Sequence, residues 1–199
     1  KQLTLASSGL QLKAHGGWDY RSNKVKAAAT LTADDIHPAL QHAGLPSGGG
    51  RIRLTANVSG TTAALSTDFA VAAHALSFAG KHLDALQASG RLDESGLLTI
   101  DSLRCFKDAS RLELNGRVRL FKKHFMRHAD MPLTIDGKLS GIRLSDWIPD
   151  IPAGGILSGR IQARGSVTAP RLETNLNMTA LSLNALPLGH AQAVLRFAD

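Results

Sequence analysis

Few residues of this chain stand at spacings that could do chemistry. His124 and His128 are four apart beside Asp130, and on a helix that spacing would put two metal ligands on one face. Lys122, Lys123 and Arg127 crowd the same stretch and would repel a cation, and no third ligand is anchored nearby, so no metal is expected. Those three cations fit anionic lipid headgroups better, at about 1 kcal/mol each near a charged surface; the bland alternative is a solvated loop. Cys105, the single cysteine, excludes an intrachain disulfide framework, and next to Phe106 in a strand-like run it reads as a small buried or half-buried residue, not a nucleophile. Asp34-Asp35 and Asp93-Glu94 are paired acids, but a helix cap and a turn account for them without acid–base work. Trp18 and Trp147 read as local packing anchors. There is no G-x-S-x-G, no P-loop and no G-x-G-x-x-G after a strand. One tyrosine and scattered bases give no stacking platform for nucleic acid. The sequence therefore predicts a non-enzymatic protein without cofactor and without a nucleic-acid partner.

What remains is pattern. In Arg111 to Leu120, RLELNGRVRL, Leu112, Leu114, Val118 and Leu120 share one parity, and Arg111, Glu113, Asn115, Arg117 and Arg119 share the other. Side chains alternate faces along a strand, so the stretch has one apolar and one charged face. Gly116 falls on the apolar face, where a missing side chain implies a bend or a close neighbour. Apolar residues make up 43% of the chain but aromatics only 5%, so the apolar surface is Leu, Ala, Val and Ile with few large anchors. That composition favours a thin, elongated core over a compact globule. With 19 Gly and 7 Pro and scarce helical periods, the chain reads as all-β with many short strands. The net charge of +7 alternates with apolar residues instead of clustering, which fits solvated outer faces.

The expected strands begin at Gln2–Leu5 and Leu10–Ala14, with Gly16-Gly17 as a turn and Asn23 as another. Lys24–Leu31 follows, then one or two helical turns through Ala43 capped by Thr32 or Asp34, then a breaker at Pro46 and Gly48-Gly49-Gly50. Arg51–Val58, Leu65–Val71, a short piece at Leu76 and Phe78, Leu83–Leu92, Leu97–Leu103 and Arg111–Leu120 continue the alternation. Turns are expected at Asp93–Gly96 and near Lys107-Asp108. After the basic stretch FKKHFMRHADM, strands are expected at Leu133–Leu139, Ile142–Leu144, Gly159–Ala163, Leu172–Met178, Leu181–Leu183 and Ala191–Phe197. No run approaches transmembrane length and no signal peptide is visible. Both ends are strand-like, so the sequence reads as one elongated β-rich fragment, 1–199, of a longer chain, with any targeting or membrane segment outside it.

An internal repeat spans approximately 32–80 and 144–189. Asp35-Ile36-His37-Pro38 matches Asp146-Trp147-Ile148-Pro149. Gly48-Gly49-Gly50-Arg51-Ile52 matches Gly154-Gly155 and Gly159-Arg160-Ile161, and Gly60-Thr61 through Leu65 matches Gly165-Ser166 through Leu172. The succession Leu144 to Pro149, Gly154 to Ile161 and Gly165 to Leu172 resembles the repeats of TamB and AsmA-like proteins, as does Gly50 to Gly80. The stretch Phe121–Met131 departs from that pattern. The resemblance implies a Gram-negative envelope protein anchored in the inner membrane outside this fragment. It implies a curled, open sheet with an apolar concave interior, a β-taco. It also implies passage of phospholipid acyl chains across the periplasm, in support of outer-membrane assembly, and an outer-membrane barrel partner of the Omp85 type.

An open apolar sheet face leaves area that must be covered or used. The expected lipid-binding groove consists of Ile52, Leu54, Val58, Leu65, Phe69, Val71, Leu112, Leu114, Val118, Leu120, Leu172, Leu176 and Met178. Lys122, Lys123 and Arg127 form the expected headgroup loop. Alternation names a buried face without naming what buries it, so two other readings stand beside the first. In a structural β-solenoid stalk the same face is a filled, closed core. In a carbohydrate-acting β-helix enzyme carboxylates would converge in a cleft.

Overall fold

The structure, a computed structural model, describes residues 1–7, 9–42, 48–78, 81–121, 131–147, 152–184 and 186–197. The basic loop, with Lys122, Lys123, Arg127 and the His124–His128–Asp130 group, lies outside the described residues. Twelve strands follow one another: β1 Gln2–Ser7, β2 Leu10–Asp19, β3 Lys24–Ala33, β4 Gly48–Thr61, β5 Ala64–Phe78, β6 Lys81–Leu92, β7 Leu97–Lys107, β8 Ser110–Arg119, β9 Pro132–Arg143, β10 Ala153–Ser166, β11 Pro170–Leu183 and β12 Leu186–Phe197. Helices α1 (His37–His42) and α2 (Leu144–Trp147) are short. Each strand pairs antiparallel with its neighbours in sequence, and the single sheet has the order β1 to β12 without closing into a barrel. The fold is thus all-β, a curled open sheet. Odd strands end at one rim, where both helices sit, and the β2–β3, β4–β5, β6–β7 and β10–β11 turns form the opposite rim.

Several expected breaks are absorbed into strands. Gly16 and Gly17 do not turn the chain. β2 runs through them, and the turn comes at Tyr20–Asn23, where Asn23 has φ 54°. Gly16 faces Ala27, whose Cβ would lie 2.8 Å from a Cβ at that position, so the glycine makes room for a neighbouring strand. Gly48-Gly49-Gly50 and Gly154-Gly155 likewise belong to β4 and β10, and β5 and β9 are each continuous where two pieces were expected. The helix cap is Asp35, which accepts the His37 N–H at 2.9 Å, while Thr32 stays in β3.

The glycines inside these strands mark bulges. Gly50 has φ 124°, and a Cβ there would meet the Ala75 carbonyl at 2.7 Å, so a side chain is excluded twice over. The same irregularities recur: Gly50 and Gly155, Gly60 and Gly165, and Ala75 and Ala180 all have positive φ and are 105 residues apart (155 − 50, 165 − 60, 180 − 75). The register shifts at Gly49/Arg51 and Gly154/Ile156 share that offset.

Among the described residues no second layer is stacked on the sheet. Among the described residues only Ala33, Ala73 and Ile142 are fully buried apolar side chains. The accessible surface is 12986 Å² for 21.1 kDa, against about 9,000 Å² for a compact monomer of that mass.

The β6–β7 turn shows how local order is fixed in so thin a body. The Asp93 carboxylate accepts the Ser95 N–H at 2.8 Å, the Ser95 hydroxyl at 2.7 Å and the Leu97 N–H at 3.0 Å. Burial alone would raise its pKa; these bonds and nearby Arg119 outweigh that and hold it below the ordinary carboxylate value of 3.8. A depressed folded-state pKa contributes stability that is present above the unfolded value and is lost as pH falls through the folded one. Asp93→Ala is expected to cost about 1–2 kcal/mol at pH 7, with the gap to the parent closing below pH ~4. Equal urea midpoints at pH 7 would contradict this account.

Candidate functional site

The register assembles the alternating residues into one surface. In an antiparallel ladder, directly paired residues project on the same side. One row therefore takes a residue from every strand: Leu5, Leu12, Leu31, Leu54, Val71, Ala88, Leu103, Leu114, Gly137, Ile161, Thr174 and Leu195. At about 4.8 Å per strand that row is roughly 50 Å wide. Leu112 stands between Cys105 and Leu139, Gly116 between Ile100 and Ile135, and Val118 between Leu98 and Leu133. Ile52 and Leu176 fall in the Leu112 row, Phe69 and Leu172 in the Gly116 row, and Val58 in the Val118 row. Leu65 faces Gly60, and Met178 faces Leu157. Leu120 lies just past β8, its N–H donated to the Gly96 carbonyl at 2.9 Å. The expected residues thus gather on one face, with Leu120 at its rim.

One break in the alternation has a structural answer. Leu98 and Ile100 are even, Leu103 and Cys105 odd, so strict period two would send them to opposite faces. The register shifts between Ile100 and Leu103, and the bulge returns both pairs to the apolar side. The sequence reading left out Leu86, Leu103, Leu139, Ile161 and Leu195 from this face, although their own strands carry the same alternation.

Large side chains on the face lie over neighbouring glycines. A Cβ at Gly137 would run into Leu114 Cδ2, and one at Gly90 would meet the Phe69 ring at 2.9 Å. Leu112, Leu114, Val118, Val71 and Phe69 are half-buried although no layer of the described residues covers them. Side chains crowd on the inside of a curve and splay on the outside, so the sheet curls toward its apolar face.

The other face is polar and pairs its charges across strands. Arg164 holds Asp136 at 2.9 Å, Arg196 holds Glu173 at 3.0 Å, and Arg91 bonds Asp68. The Arg164 hydrogen bond holds the Asp136 carboxyl below its usual range. Such exposed pairs are screened by solvent and salt and add little to stability. A shallow cleft between Glu113, Asp136, Lys138 and Arg160 opens on this side. Its carboxylates are already engaged, Asp136 by Arg164 and Glu113 by Arg104 and Arg111, and so do not form an acid–base pair. Among the described residues no group of three His, Cys, Asp or Glu could hold a metal ion.

No family model matches the chain, and neither does any curated protein or solved structure.

Cys105 gives the apolar face a built-in probe. It pairs with Leu86 and Leu112, and burial pushes its thiol above the ordinary 9.0. The thiolate is the reactive form. The rate of iodoacetamide alkylation is therefore expected to rise with pH to a midpoint above 9.0. A midpoint at or below that value would place the thiol in water, off the crowded face.

Proposed function

We propose that this chain is a segment of a lipid-conducting groove, binding phospholipid acyl chains along the apolar face of its open sheet. The observation that carries the reading is a face apolar across the twelve-stranded sheet, half-buried on its central strands and exposed at both edges, with no layer laid over it among the described residues. Each CH₂ removed from water contributes about 0.8 kcal/mol, so ten give roughly 8 kcal/mol before ordering costs. Such contact has no preferred position along the chain, which lets a lipid slide. A closed-core stalk would fill this face with fully buried large side chains; the buried apolar residues among those described are two alanines and one isoleucine. Placement in the periplasm of a Gram-negative envelope, an inner-membrane anchor outside this fragment, phospholipid movement between the two membranes and an Omp85-type barrel partner belong to the same proposal. They rest on the likeness to TamB and AsmA-like repeats.

The test is native mass spectrometry with lipid extraction on protein purified from a bacterial host. The parent is expected to carry phospholipid. Leu114→Asp puts a charge in the centre of the face and is expected to lose it while keeping the β circular-dichroism signal. Asn115→Asp, one residue along on the polar side, is expected to keep it. A lipid-free parent, unchanged lipid in Leu114→Asp, or unfolding of that variant would each count against an open groove.

A further inference from the structure

We propose that the tip of the β2–β3 hairpin is an interfacial anchor that docks this rim of the sheet on an anionic phospholipid bilayer. The chain has two tryptophans and one tyrosine. Trp18, at the end of β2, is 63% exposed and Tyr20, in the turn, is 72% exposed. Arg21, Lys24 and Lys26 flank them, all exposed. Exposed indole and phenol rings beside Lys and Arg match the two zones of a membrane surface, with rings at the glycerol level and cations among the phosphates.

The tip is built to present these groups. Trp18 Nε1 donates to Asn23 Oδ1 at 3.3 Å, which sets the indole across the turn. The Arg21 guanidinium carbon lies 5.8 Å from the centre of the Tyr20 ring, and its Nε donates to the Tyr20 hydroxyl at 3.3 Å. The one acid of the tip, Asp19, is spent inside the turn, accepting the Ser22 hydroxyl at 2.5 Å and the Arg21 N–H at 3.0 Å. The charge is also uncompensated on a larger scale. Every ion pair among the described residues lies from β5 onward, so Lys13, Lys24, Lys26, Arg51 and Arg53 on β2–β4 have no carboxylate partner. The neighbouring tip on the same rim, Thr61–Ala64, is small and uncharged, and leaves the aromatic tip room to reach a surface. A water-facing hairpin has no use for its two largest rings at its most exposed point; a bilayer surface accounts for both the rings and the cations.

The experiment is flotation of the 199-residue protein with vesicles of phosphatidylglycerol and phosphatidylethanolamine, against vesicles of phosphatidylcholine alone. Tryptophan fluorescence is read in parallel, with Trp18→Phe as the subtracted reference. The expected result is flotation with the anionic vesicles only, weakened by salt, and a blue shift of the Trp18 signal. Lys24→Gln with Lys26→Gln is expected to lower partitioning ~30-fold, at about 1 kcal/mol per cation. Lys138→Gln with Arg160→Gln removes the same charge from the exposed polar face of β9 and β10, far from the tip, and is expected to leave flotation unchanged, which separates the tip from net charge alone. No flotation with anionic vesicles, equal flotation of the Lys24/Lys26 double variant, or equal losses in the two double variants would overturn the proposal.

Discussion

Everything in this structure depends on strand-to-strand pairing in a sheet on which the described residues lay no second layer. A sandwich or barrel stabilises its strands by burying one face against another. Here each strand between the edge strands β1 and β12 is held by two neighbours through backbone hydrogen bonds, helped by side chains lying over glycines of the next strand. Removing surface from water is therefore a lateral business. Leu114 shields Gly137, Phe69 shields Gly90, and Leu176 lies 3.0 Å from where a Gly159 Cβ would stand. Large beside small across the ladder lets the apolar side pull inward without a partner, and that contraction is the curl.

Bulges keep this arrangement open yet continuous. Twelve strands of strict alternation on one side would require strict pairing throughout, and the chain does not keep it. At Ile100/Leu103 and Leu157/Gly159 the register slips, and each slip restores apolar residues to the apolar side. At Gly50 and Gly155 the backbone takes a conformation that only glycine adopts freely. These positions lie near the rim that bears the helices, and α1 closes onto one of them, Ile36 N–H to the Gly50 carbonyl at 3.0 Å. In the first half, bulge and helical turn are thus joined; in the second, the bulge at Gly155 and the short helix α2 recur.

Much of this was legible in the sequence because a period of two is a strong signal when one face is apolar. Fold class and much of the membership of the face follow from parity in Arg51–Val58, Leu65–Val71 and Arg111–Leu120; open character does not, because alternation names a face without naming what covers it. What else was not legible traces to glycine. Gly16-Gly17, Gly48-Gly49-Gly50 and Gly154-Gly155 read as breaks, because in isolation a glycine pair marks a turn. Only the neighbouring strand explains why they stay extended: the missing side chain is room for Ala27 or for the Ala75 carbonyl, neither of which is close in sequence. The hairpin tip was hidden for a related reason. Trp18 shares the apolar parity of β2 and reads as a packing anchor, and only its position at the rim turns it outward.

The repeat bears on function through geometry. A 105-residue offset from Gly50 to Gly155 spans six strands, an even number, so each copy returns the chain to the same direction and the same face. An odd number would place successive helices on opposite rims. With six, both helices cap one rim and the apolar rows run straight from one copy into the next, as the row from Leu54 through Leu114 to Ile161 does. A compact core gains depth as residues are added; this sheet gains width at constant depth. The quantity that grows is the length of uninterrupted apolar surface, which is what a path for an acyl chain requires and what a packed core would leave inaccessible.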